Sequence, residues 1–265
     1  MKKTILITGS TDGIGKLVAQ KLATAGHSVF IHGRNSVKVN SVIEAIQKES
    51  HNENVDGFVA DLSELDQVEQ LAADILQKVH HLDVLINNAG VYKSPQPTNS
   101  KGLDLRFVVN YLAPYLLTEK LLPIINGEDA RIINLSSAAQ SPVSFLALEG
   151  KESLSENTTY AQSKLALTMW SFDLSKKVND VTVIAVNPGS LLNTRMVKEA
   201  YGKHWSSADK GGSILFDLAV GGEHQTHTGE YFDNDAGYYG KAHTDAYNSS
   251  KISTLLSVTE AILSK

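Results

Sequence analysis

Cysteine occurs nowhere in the 265 residues, which excludes disulfides, thiolate metal sites and cysteine nucleophiles. Long apolar runs are missing too: the strongly hydrophobic stretches fall far short of the roughly 20 residues that a membrane-spanning helix requires. The start, Met-Lys-Lys-Thr-Ile-Leu-Ile-Thr-Gly, carries no signal-peptide hydrophobic region or cleavage site. No basic block accompanies the formal net charge of -5, which argues against nucleic acid as the main partner. Repeats, low-complexity tracts and linkers are absent as well. The expectation is one domain over 1–265, cytoplasmic and without stable membrane insertion.

What is present is an alternation. At 42% hydrophobic residues the chain can bury a large core. Apolar, β-branched runs at 3–8, 28–32, 55–60, 82–87, 130–136, 181–187 and 229–232 read as strands. Amphipathic stretches lie between them. In 64–80, for example, Leu65, Val68, Leu71, Ala72, Ile75, Leu76 and Val79 form one helical stripe. Strand-helix alternation predicts an α/β fold: a doubly wound parallel sheet of about seven strands with helices on both faces. Segments 138–158 and 188–209 break the rhythm. Each follows a strand at its carboxyl end, where such sheets bind ligands, so they are expected to wall the substrate pocket, with Gln140, Phe145, Tyr201, His204 and Trp205 as candidate lining.

Two motifs carry chemistry. Thr8 leads into Gly9-Ser10-Thr11-Asp12-Gly13-Ile14-Gly15, and Leu17, Val18, Leu22 and Ala25 then keep a helical stripe up to Gly26. Glycines let the main chain turn tightly and approach a pyrophosphate, while the free N–H groups and dipole of a helix start favour its charge. Farther on, Tyr160-Ala-Gln-Ser-Lys164 puts a phenol and an ammonium at i and i+4 of a helical segment, on one face. Free tyrosine titrates near ~10, and an adjacent cation favours the phenolate, so the pair suits acid/base work.

Together these residues resemble the short-chain dehydrogenase/reductase family. Residues 8–15 are similar to its Thr-Gly-x-x-x-Gly-x-Gly loop. Asn87-Asn88-Ala89-Gly90, Asn110, Ser137 in Leu-Ser-Ser, Tyr160 with Lys164, and Asn187-Pro188-Gly189 match further positions in order. The resemblance implies a single NAD(P)-binding Rossmann-type domain and a hydride exchanged with a carbonyl or alcohol. Within it Tyr160 is the general acid/base, Lys164 lowers the tyrosine pKa and holds the nicotinamide ribose, and Ser137 hydrogen-bonds the substrate oxygen. Asn110 holds a water on a proton path. Ser136 competes with Ser137, and the family register favours the second serine. Gly9 through Gly15, Asp61, Leu62, Asn88, Ala89, Gly90, Pro188, Gly189, Leu191 and Thr194 take cofactor positions.

Cofactor choice turns on the end of the second strand, where an acid would bind a ribose 2'-hydroxyl and repel a phosphate. Ile31-His32-Gly33-Arg34-Asn35 has no acid, and Arg34 offers a planar fork suited to phosphate. NADP(H) is favoured, with NAD(H) possible. Asp61 doubles as a helix cap. The 23-residue interval from Ser137 to Tyr160 (160 - 137), its polar insert, and Gly229-Glu-Tyr-Phe232 resemble the retinol-dehydrogenase-like and protochlorophyllide-reductase-like branch. That implies a small hydrophobic carbonyl or alcohol, or a carbon-carbon double bond, as substrate, and a homo-oligomer. A sensor or scaffold that binds NADP(H) without turnover is the alternative. No metal is expected: His224-Gln-Thr-His227 reads as surface histidines, and Asp233-Asn-Asp235-Ala-Gly237 as a polar turn. The 252–263 stretch reads as an amphipathic helix.

Overall fold

Side by side, the β-branched runs form one eight-stranded sheet. A computed structural model describes residues 1–202 and 204–265, with backbone alone at 200 and 201. The strands are β1 (Thr4–Ile7), β2 (Ser28–Gly33), β3 (Val55–Val59), β4 (Val84–Asn87), β5 (Ala130–Leu135), β6 (Val181–Asn187), β7 (Glu230–Asp233) and β8 (Tyr238–Gly240). Their order is β3-β2-β1-β4-β5-β6-β7-β8. The pairs from β3 to β7 are parallel, and β8 returns antiparallel to β7.

Helices α1 (Gly13–Thr24), α2 (Ser36–Ser50), α3 (Leu65–Lys78), α4 (Leu105–Phe107), α5 (Ala113–Leu121), α6 (Phe145–Leu148), α7 (Glu156–Lys177), α8 (Arg195–Tyr201), α9 (Ala208–Val220) and α10 (Ser249–Leu263) connect and cover the strands. One turn of π-helix, Val108–Leu112, joins α4 to α5. Capping residues set several starts: Asn35, Ser155, Thr194 and Asn248 each accept an amide of the first turn, satisfying a donor with no partner inside the helix.

The period of two along each strand divides the core. Ile5, Ile7, Val84, Ile86, Ile133 and Ile184 point to one face, where they pack with α1, α2 and α9. Leu6, Leu85, Ile132 and Val183 point to the other, with α3, α5 and α7. Helix α7 is buried on nearly every side, which explains its lack of a single apolar stripe. The sheet lies beneath it, Trp170 packs on Tyr115 at 5.5 Å, and Phe172 packs on Tyr247 at 5.3 Å. Helix α10 completes the cover, with Thr259 hydrogen-bonded to the Tyr111 hydroxyl at 2.7 Å.

The doubly wound α/β sheet matches the expectation, with one strand more than the seven anticipated. β8 is three residues long and forms only because the turn after β7 folds back, with Gly237 at φ 80. Asp233 to Gly237 is thus a hairpin turn. The strand order, not the strand direction, reverses between the parallel neighbours β1 and β4, which opens a crevice beyond their carboxyl ends. No described helix is long and apolar enough to cross a membrane. Leu255 is fully buried between α10 and the core, so Leu255→Ala is expected to lower unfolding free energy by about 2–5 kcal/mol in urea titrations.

Candidate active site

At the β1/β4 crevice two turns lie in backbone contact. A Cβ on Gly9 would stand 2.7 Å from Ala89 Cα; one on Gly15 would stand 2.4 Å from Asn88 Nδ2 and 2.7 Å from the Gly9 carbonyl. Only glycine fits either position. The Asn88 amide donates to the carbonyls of Thr8 and Gly9 at 2.8 and 2.9 Å, and Thr8 Oγ1 accepts the amides of Asn88 and Ala89 at 3.0 Å each. Gly13 opens onto Thr194, whose Cγ2 lies 3.8 Å from where a Cβ would be. Ile14 packs under Gly211 of α9.

Ser10 departs from its expected place. Its hydroxyl donates to the Ile7 carbonyl and accepts the His32 amide, and its own amide donates to the His32 carbonyl. Fully buried, it ties the turn to β2 and has neither amide nor hydroxyl to offer a ligand. Asp12 caps α1 through the Gly13 amide and pairs with Lys38 at 3.2 Å. Burial pushes its pKa up, but the Gly13 amide and Lys38 outweigh that and hold it below the usual carboxylate range. Thr11 packs over Gly33 at the end of β2, where Arg34 and Lys38 are exposed. Asn35 caps α2. Asp61 accepts from the amide and hydroxyl of Ser63, so it caps the 61–64 turn and not α3, which starts after Glu64. The Leu62 side chain is in the core.

Beyond β5, Ser136 and Ser137 diverge. Ser136 is buried and spent on Thr168 Oγ1 at 2.7 Å and the Lys164 carbonyl. Ser137 is half-buried, its Oγ accepts the Ala139 amide, and its carbonyl takes the Tyr231 hydroxyl at 3.0 Å and Gln140 Nε2 at 2.9 Å. On α7, Lys164 is buried, donates to the Leu135 carbonyl at 2.7 Å, and lies 5.7 Å from the centre of the Tyr160 ring. Burial pulls its pKa down to about 8. A Cβ on Gly90 would meet Asn110 Oδ1 at 3.4 Å and Lys164 Nζ at 3.6 Å. Asn110, in the π turn that often marks functional sites, bonds both polar groups of Val91 and reaches Ser163 Oγ at 2.9 Å. In this structure it is a strut.

After β6, Gly189 (φ 121) and Leu191 (φ 48) turn the chain. Asp235 holds that turn, accepting Ser190 N, Ser190 Oγ and Asn187 Nδ2, while Asn234 donates to the Pro188 carbonyl. Thr194 caps α8. Of the candidate lining, Gln140 turns to Ser137 and the His243 amide, Phe145 packs on the core, and His204 and Trp205 are exposed. The Tyr201 side chain lies outside the described residues.

His224 corrects another expectation. It is buried, and Asp217 and Glu223 stand close enough to share an ion with it. Its two ring nitrogens are nevertheless engaged, by the Tyr239 hydroxyl at 2.8 Å and Asp217 at 3.3 Å. A cavity of about 780 Å³ opens at the opposite, amino ends of the strands, between 125–130 and 178–182, and no candidate residue lines it.

His32 was legible only as a histidine beside Gly33. Its Nδ1 accepts the Gly9 amide and its Nε2 therefore carries the proton toward the Ala60 carbonyl, both at 3.1 Å. Burial holds the imidazole neutral, its pKa pulled from 6.5 to about 4. The unfolded chain takes up this proton from 6.5 downward and the folded chain only near 4. The resulting stabilisation, on the order of 3 kcal/mol, is present above 6.5 and lost as pH falls to about 4. Urea titrations at several pH values are expected to show that decline in the wild type and a shallower one in His32→Gln.

The family model described as short chain dehydrogenase matches residues 3–204. A polyprenol dehydrogenase of Homo sapiens is 34% identical over 75% of this chain and 63% of its own length. Retinol dehydrogenase 13 of Homo sapiens is 35% identical over 71% of this chain and 58% of its own. The chain thus spans about six-tenths of these relatives. Among solved structures, a short chain dehydrogenase from Escherichia coli CFT073 complexed with NADPH has a TM-score of 0.73 and 26% identity over 88% of this chain and 96% of that one.

Proposed function

The chain belongs to the short-chain dehydrogenase family, on its retinol-dehydrogenase-like branch, and we propose that it is an NADP(H)-dependent oxidoreductase exchanging a hydride with a carbonyl or alcohol of a small hydrophobic compound. The observation that carries this reading is the buried Lys164 ammonium 5.7 Å from the Tyr160 ring, beyond the ends of the central strands and beside a glycine whose missing Cβ leaves room before it.

The residues fit a dinucleotide. The Gly9–Gly15 turn and the start of α1 offer the pyrophosphate a tight backbone approach and the positive end of a helix. Arg34 and Lys38, exposed at the end of β2, provide two cations where an adenosine 2'-phosphate would lie; Asp12 partly neutralises Lys38, while residues 31–35 around Arg34 contain no acid. The NADPH held by the Escherichia coli relative supports the same choice. The cofactor supplies the hydride. Ser137, having accepted the Ala139 amide, keeps its hydroxyl proton to donate to a substrate oxygen. Tyr160 passes a proton to that oxygen in reduction, or takes it in oxidation, and the Lys164 charge favours the phenolate that remains. Asn110 holds the Val91 backbone against Ser163 and so keeps the wall beside Gly90 in place.

Tyr160→Phe is expected to cut kcat for NADPH-dependent carbonyl reduction by about 10²–10⁴-fold while the NADPH dissociation constant stays put; retained turnover would refute the assignment. Arg34→Glu is expected to raise the KM for NADPH by about tenfold or more and leave that for NADH little changed, and equal effects on the two cofactors would refute the phosphate role.

A further inference from the structure

One buried charge has no task in this mechanism. The Arg106 side chain, on α4, is 3% exposed. A guanidinium withdrawn from water is costly unless its N–H groups find acceptors, and here they do. Nε donates to the Tyr92 carbonyl at 2.8 Å, Nη1 to both oxygens of Asp104 at 3.2 and 3.1 Å, and Nη2 to Glu156 at 2.6 Å. Glu156 opens α7, the helix that carries Tyr160. Farther along, Asn110 grips Val91 and reaches Ser163, whose hydroxyl donates to the Tyr160 carbonyl. Residues 91 and 92 are therefore pinned to α7 at two levels.

The clamp holds a ring. Tyr92 is 8% exposed, with its centroid 4.9 Å from that of Tyr160 and the planes at 58°, inside the range of favourable aromatic pairs. Its hydroxyl donates to Asn157 Oδ1 at 3.4 Å. Its main chain is bonded to Arg106 at 2.8 Å. A shift of the 91–92 segment would move the ring relative to Tyr160 without touching the Gly9–Gly15 turn.

We propose that Tyr92 is a specificity-determining residue, a wall beside Tyr160 that limits and orients the group flanking the reacting carbon, and that Arg106 is the positioning residue that sets this wall. The inference rests on Tyr160 being the proton-transfer group, as proposed above.

Steady-state reduction of propanal and of a naphthaldehyde by the 265-residue chain with NADPH tests it, in the wild type, Tyr92→Leu, Arg106→Met, Arg106→Lys and the Tyr92→Leu/Arg106→Met double variant. Tyr92→Leu is expected to change the ratio of kcat/KM for the two aldehydes by about tenfold, through the aldehyde KM, with the KM for NADPH unmoved. Arg106→Met shifts the ratio the same way, and Arg106→Lys, which keeps a donor but not the fork, falls between it and the wild type. The double variant is expected to be no further shifted than the larger single one, because the two residues act through one element. An unmoved ratio in Tyr92→Leu overturns the wall even if Arg106→Met fails to fold. Strictly additive shifts overturn the positioning role. Tyr160→Phe separates the two levels: if it loses turnover while the Tyr92→Leu ratio is unmoved, only the wall falls. If it reduces both aldehydes as well as the wild type, or the wild type reduces neither, the proton-transfer reading falls and the wall with it.

Discussion

Two missing methyl groups hold the architecture of the site together. Without a Cβ at Gly9 and Gly15, the turn after β1 can lie directly on the turn after β4, and only then can the Asn88 amide close on the Thr8 and Gly9 carbonyls. The two strands belong to different βα units, so this contact registers the halves of the sheet against each other at the point where the strand order reverses. His32 fixes the same turn from the side of β2. The crevice floor is thus built from main chain, and its shape follows from backbone geometry more than from side-chain rotamers.

The second half of the site depends on α7. This helix carries Tyr160 and Lys164 and is fastened to the strands by polar groups within a mostly apolar core. Asn87 donates to Thr118 and to Asn134, Asn134 to Ser171, and Ser136 meets Thr168. Most buried polar groups are paired, and the two bonds that reach α7, at Ser171 and Thr168, each accept one depth and one rotation of the helix. Apolar packing alone would allow α7 to slide; these bonds give Lys164 a fixed height against the Leu135 carbonyl.

Local patterns in the chain reveal what neighbours in sequence determine. The β-branched runs, the stripe from Leu65 to Val79, the glycine spacing and the Tyr160–Lys164 interval are all readable within a few residues, and they delivered the sheet, its layers and the family. Residues whose meaning lies in distant partners were silent. Arg106 bonds residues 14 and 50 positions away, and Asp235 holds a turn 45 positions before it. His32 looked like any strand-end histidine. Ser10 matched a motif position, yet its hydroxyl lies under the turn, because a serine directly after the Gly9 bend can satisfy the strands behind it. β8 escaped because three residues carry too little periodicity.

The family pattern ends at residue 204, but the molecule does not stop there in any mechanical sense. A shorter version ending at that point would keep every residue of the proposed proton path. It would also leave β6 as an open edge of seven residues, strip the Tyr231 hydroxyl from the Ser137 carbonyl, and uncover the Phe172 side of α7. Bare hydrophobic edges of that kind recruit other chains. The final quarter of the sequence therefore guards solubility as well as geometry, and variation there would be filtered first by aggregation and only afterwards by what the crevice accepts.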